Sequence, residues 1–115
     1  MKLEEIQKSL RLQVAAGARG LAREVAGGYC GDLLSDVMAN AKRGALWLTI
    51  QSHPNIVAVA VLRELAGIIL VNGRNPDDET KAKADDEGIP LLLSTLSSFD
   101  LAGRLYDLGI GRAQG

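Results

Sequence analysis

The spacing of apolar and polar residues divides the 115-residue chain into a run of short helices and strands. Leu3, Ile6 and Leu10 recur at helical spacing around Glu4 and Glu5, which predicts a short helix over 2–9. Leu12 and Val14 alternate ahead of Gly17, the pattern of a short strand. Residues 18–31 read as a loop with one further short strand at 22–25. Leu33, Leu34, Val37, Met38 and Ala41 then form an i, i+3, i+4 stripe. A helix is expected there, capped by Asp32 and closed by a basic turn, Lys42 and Arg43, before Gly44.

From residue 45 the apolar runs become denser, starting with a buried strand in ALWLTIQ. The stretch 46–73, LWLTIQSHPNIVAVAVLRELAGIILVNG, poses the main ambiguity of type. Val and Ile at 56–62 favour a strand by propensity. A strand there would lack a turn before the next one, Pro54 suits the first turn of a helix, and residues 63–67 read as a helix end with Gly67 at C′. A helix over 54–65 is therefore expected, with Ser52 or His53 at its cap. Its nearly all-round apolar surface implies cover on more than one side.

A strand at 68–71 then runs into Asn72 and Gly73. A solvated, charged helix follows, with Asn75 as cap, Pro76 in first position and Asp77, Asp78 and Glu79 at the positive end of its dipole. Asp77 with Lys81, and Glu79 with Lys83, are its expected ion pairs. IPLLLST reads as another buried strand. The last helix carries Leu101, Leu105 and Leu108 on one stripe with Phe99, Ala102 and Tyr106 beside it, and residues 111–115 are expected to fray. Apolar strands without alternation are buried on both faces. The expected fold is thus one α/β domain over 1–115: three layers, with a mostly parallel four- to five-stranded sheet and helices on both faces.

Composition narrows the function classes. Thirteen basic residues against fourteen acidic ones give a net charge of -1 and no electrostatic case for nucleic acid. One Trp, two Tyr and one Phe are too few for a base-stacking platform. The longest apolar run is broken by Arg63 and Glu64, which argues against a membrane span. A single cysteine, unable to form an internal disulfide, makes the reducing cytoplasm the expected compartment, and MKLEEIQKSL lacks the apolar core of a signal peptide. A lone Cys30 cannot hold zinc or an iron–sulfur cluster, and no cofactor is expected. Cys30, Trp47 and Met38 read as core residues, and Gly27, Gly28 and Gly31 as turn formers. Tyr29 is expected to be partly exposed at a site or an interface.

The chain contains no GxxxxGK[ST], CxxC, HExxH or GxSxG motif, and GIGRAQG at the C-terminal end has no helix after it to bind phosphate. Parallel sheets bind ligands beyond the carboxyl ends of their strands. The candidate ligand contacts are therefore Gly31, Asp32, Ser35, Ser52, His53, Asn55, Asn72, Gly73, Ser94 and Thr95. The single histidine is open to three readings: a cap or bend, a ligand contact, or the general base of a small hydrolase or transferase with Asp32 or Ser94. A redox-linked partner using Cys30 is a further possibility.

Four stretches, GGYCGDLLSDVMANA, TIQSHPNIVAVAVLRELAGIILVNG, DETKAKADDEGIPLLLS and AGRLYDLGI, together resemble the DRTGG domain over roughly residues 10–110, although the literal pentapeptide is absent. The resemblance implies a regulatory or dimerising module with no catalytic activity of its own. Such modules occur beside CBS domains in pyrophosphatases and inside phosphotransacetylases, and are similar to the N-terminal domain of HPr kinase/phosphorylase. Stand-alone versions encoded near iron-only hydrogenases imply a link to hydrogenase or energy metabolism. Without a P-loop, phosphotransfer does not carry over. The expectation is a homodimer that binds a small ligand such as a nucleotide and acts through a protein partner. Its apolar surface at 56–62 and along Leu33–Met38 exceeds what one small sheet covers.

Overall fold

The computed structural model describes residues 1–112. In chain order the elements are α1 (Leu3–Ser9), β1 (Gln13–Ala16), a 3-10 turn (Ala18–Gly20), β2 (Gly27–Cys30), α2 (Leu34–Asn40), β3 (Ala45–Thr49), α3 (Asn55–Leu62), β4 (Gly67–Leu70), α4 (Asp78–Glu87), β5 (Leu91–Leu93) and α5 (Ser98–Asp107). One five-stranded sheet has the order β1-β5-β4-β3-β2. The last four strands in sequence are parallel, and β1 runs antiparallel beside β5.

Each interior strand divides its side chains between two cores. Trp47, Ile68, Leu70 and Leu91 pack with Val37, Val57 and Ala84, under α2, α3 and α4. Leu46, Leu48, Ile69 and Leu92 pack with Leu3, Ile6, Leu101 and Leu105, under α1 and α5. From β2 to β5 the chain steps one strand at a time in one direction, so crossovers of constant hand lay their three helices on one face. α3 sits between α2 and α4, which explains its apolar composition: Ile56, Val57, Val59 and Ala60 are all buried.

Several boundaries differ from the sequence expectation, each for a tertiary reason. The short strand lies at 27–30 and not at 22–25. Residues 23–25 are held instead by the chain start, where Leu3 N donates to Arg23 O and Val25 N to Met1 O, both at 2.9 Å. Gly27 and Gly28 are accordingly edge-strand residues paired with Ala45 and Leu46, not turn formers. α3 ends on Glu64 in the left-handed region (φ 51°), with Leu65 N donating to Ala60 O at 2.9 Å. Gly67 opens β4, where a Cβ would stand 2.9 Å from Leu3 Cδ2 and 3.2 Å from Pro90 O.

α4 begins at Asp78 with Asp77 as its cap residue, two positions after the expected Asn75. Its start is fixed from outside: Asp77 N and Thr80 Oγ1 both donate to Ser52 O, at 3.2 and 2.6 Å. The ion pair that forms on it is Lys81 with Asp78, at 3.3 Å. Phe99, expected beside the buried stripe of α5, is 87% exposed. Arg112 is docked on α5, its Nε donating to Tyr106 O at 3.0 Å, while residues 113–115 of the tail expected to fray lie outside the described residues.

Candidate functional site

All four parallel strands end at one edge of the sheet, and every candidate ligand contact read from the sequence lies on or beside that edge. They separate into two groups. Around β2 and β3, Asp32, Thr49, Gln51 and Trp47 are tied into one hydrogen-bonded group. Thr49 is fully buried at the end of β3, and a buried hydroxyl needs a partner. Its Oγ1 donates to Asp32 Oδ1 at 2.9 Å, and Ile50 N donates to the same oxygen at 2.9 Å. Gln51 Nε2 donates to Asp32 O at 2.9 Å, and Trp47 Nε1 to Gly31 O at 2.8 Å. Asp32 thus ties β2 to β3 and does not cap α2, whose cap residue is Leu33 with no side-chain hydrogen bond. Ser35 lies exposed on the first turn of α2.

His53 is exposed, and its Nδ1 accepts from Asn55 N at 3.1 Å. That bond satisfies an orphan amide at the start of α3, so the imidazole works as a cap. Among the described residues no hydrogen bond joins His53 to a serine hydroxyl or a carboxylate. The Asp32 carboxylate is engaged with Thr49 and Ile50, and Ser94 Oγ accepts from Leu96 N at 3.1 Å.

The second group lies where β4 and β5 end. After β4 the chain turns to α4 on one face, and after β5 it turns to α5 on the other. Exits that part to opposite faces leave a crevice above the sheet, the usual place for a ligand in an open α/β fold. A cavity of about 430 Å³ lies there, lined by residues 73–75 after β4, 93–96 at and after β5, 10–13 leading into β1, and Arg104 of α5. The backbone beneath is pinned by Asn72 N to Leu96 O at 2.8 Å and Gly73 N to Ser94 O at 2.9 Å. Asn72 holds a left-handed conformation (φ 58°), as does Arg11 (φ 53°) on the far side. Gly73, Ser94 and Thr95 line the cavity, with Asn72 adjoining it, whereas Asp32, Ser52, His53 and Asn55 do not.

Two further groups can be placed. Cys30 is exposed and not a core residue. Partial burial of its thiol, with the Asp32 charge second, pushes its pKa up, which disfavours the nucleophilic thiolate. The Tyr29 hydroxyl bonds to Asp36 Oδ2, and that bond chiefly raises its pKa. Among the described residues no group of three or more His, Cys, Asp or Glu side chains is placed to hold a metal ion. Likewise, no described helix is long and apolar enough to cross a membrane.

No family model matches the chain, and no curated protein matches it. Among solved structures it is similar to the CBS and DRTGG domains of the regulatory region of a Clostridium perfringens pyrophosphatase, a crystal structure complexed with the activator diadenosine tetraphosphate. The TM-score is 0.68 at 14% identity, and the match covers 96% of this chain and 47% of that one. The chain therefore spans about half the length of that structure, and the likeness is one of fold. It supports a DRTGG-like fold.

The sequence reading missed the charged members of the crevice, Arg11, Arg74 and Arg104. They come from a turn, a loop and a helix far apart in the chain. Strand order alone brings them together, and no local pattern records it.

Proposed function

We propose that this chain is a non-catalytic regulatory module that binds a small ligand, a nucleotide being the first candidate, in the crevice between the exits of β4 and β5. The observation that carries the reading is that crevice: an open cavity of about 430 Å³ at the point where the chain leaves neighbouring parallel strands for opposite faces. Its volume falls within the roughly 300–1,000 Å³ of small-molecule sites. The structurally similar pyrophosphatase region, complexed with a dinucleotide activator, supports the ligand class.

Pairing with a second copy, and action through a protein partner in hydrogenase or energy metabolism, complete the proposal. The pathway rests on the resemblance noted from the sequence. Most of 56–62 is covered by the chain's own helices, and the exposed large apolar groups among the described residues are Met1, Leu33, Val61 and Leu62 together with Phe99 and Tyr106 on α5. The test of ligand binding is a thermal-shift series with adenine mono-, di- and triphosphates and dinucleotides. A ligand at a hundredfold excess over Kd adds about 2.7 kcal/mol, or roughly 10 °C in Tm for a domain of this size. Absence of a shift with every nucleotide contradicts the reading.

A further inference from the structure

We propose that the crevice is a phosphate-chain site, in which Arg11, Arg74 and Arg104 grip the anion and the base is left unread. The inference rests on the ligand-binding reading above for its location and adds the chemistry of recognition.

The arginines of the molecule divide in two. Arg19, Arg23, Arg63 and Arg112 each donate to a backbone carbonyl, and Arg43 pairs with Glu64. The guanidinium groups of Arg11, Arg74 and Arg104 make no hydrogen bond or salt bridge among the described residues, and these three residues line the one crevice. Among the described residues no carboxylate lines it with them, although the chain has fourteen acidic residues against thirteen basic ones. Guanidinium groups stay charged at any physiological pH, and their forked donors match phosphate oxygens two at a time. Three of them without a counter-charge repel one another, and an anion relieves that repulsion. The exposed Thr95 hydroxyl adds a further donor at the rim.

What the lining lacks is equally specific. It contains no aromatic residue, and its apolar members are Leu10, Leu12, Leu93 and Leu96. A purine has no ring to stack on there. Recognition falls on the phosphates, and affinity follows their number. Arg11 and Asn72, two of the three non-glycine residues with positive φ among the described residues, flank the crevice. That backbone conformation is disfavoured and persists where the surrounding structure imposes it.

Calorimetric titration of the full chain with ATP, inorganic tripolyphosphate and adenosine tests the proposal, at about 0.1 M and about 1 M salt, where the Debye length falls from ~10 to ~3 Å. ATP and tripolyphosphate are expected to compete for one site, adenosine to show no binding, and affinity to fall at high salt. Arg11→Gln, Arg74→Gln and Arg104→Gln each weaken both anions by roughly tenfold or more, with Tm of the free protein unchanged. Adenosine binding as tightly as ATP overturns the proposal. ATP affinity indifferent to all three substitutions also overturns it, while leaving the ligand-binding module standing. Failure of tripolyphosphate and every nucleotide to bind removes both.

Discussion

Two cavities of nearly equal size sit at opposite edges of the sheet, about 430 Å³ where β4 and β5 end and about 410 Å³ where β3, β4 and β5 begin. At the starting edge, Arg23 and Arg43 alternate with Glu24, Glu64 and Glu87. Arg43 pairs with Glu64, and Arg23 Nη1 reaches Leu65 O at 3.3 Å. At the ending edge three arginines face the cavity with no acid among them. Equal volume therefore says little about use. One edge has spent its polar groups on holding the chain together, and the other has left its charges free.

The backbone follows the same division. At the starting edge Gly17 (φ 70°) lies so close to the β5 entry that a Cβ would stand 1.9 Å from Ile89 O. Its amide donates to Asp85 Oδ1 at 2.7 Å. Nothing there can move to admit a side chain, because the obstructing atoms are backbone. Around Gly73, at the ending edge, an added Cβ meets nothing within 4 Å.

The largest expected effect attacks the starting edge. Gly17→Val adds a clash with backbone to a forced positive φ, and we expect a loss of ~3 kcal/mol or more, read as a fall in the urea unfolding midpoint. A loss below about 1 kcal/mol would show that this edge has the latitude the account denies it. Next comes Asp32→Ala, which leaves the buried Thr49 hydroxyl without its acceptor. Its cost is expected at ~1–3 kcal/mol, and Asp32→Ala in a Thr49→Val background should be milder. Equal losses in the two backgrounds contradict the β2–β3 tie. The Arg11, Arg74 and Arg104 substitutions, by contrast, should leave the free protein within about 0.5 kcal/mol.

The smallest effect is a pH dependence. Tyr29 has a raised folded-state pKa, chiefly because its hydroxyl bonds to the Asp36 carboxylate. The neutral phenol is the favoured folded form, so its contribution is fully present below the ordinary tyrosine pKa of about 10. It is lost as pH rises from there through the folded value. Tyr29→Phe should flatten the alkaline fall in Tm above about pH 10, and an unchanged slope would remove Tyr29 as its cause.

Much of the layer plan was legible because it is written in local pattern. The runs at 45–49, 67–70 and 91–93 are apolar without alternation, and all three strands are buried between helices. The segment 55–62 resembles a strand in composition yet forms α3, and Pro54 ahead of it with the polar break at Arg63 and Glu64 gave the warning. β2 was not legible, since Gly27 and Gly28 on an edge strand carry no hydrophobic signature. Nor was the start of α4, set by a carbonyl 25 residues earlier, at Ser52. The edge that holds the crevice followed from parallel topology. The interval between β4 and β5 required knowing that α5 crosses to the face opposite α4, which no window of residues contains.

Backbone amide mapping by NMR during an ATP titration tests the central claim most directly, because it asks where the ligand sits. The largest shift changes are expected at Leu12, Gly73, Arg74, Ser94 and Thr95, with Gly44, Glu64 and Ala66 unmoved. Changes centred on those last three residues, or spread along the outer face of α5 around Phe99 and Tyr106, would contradict the claim.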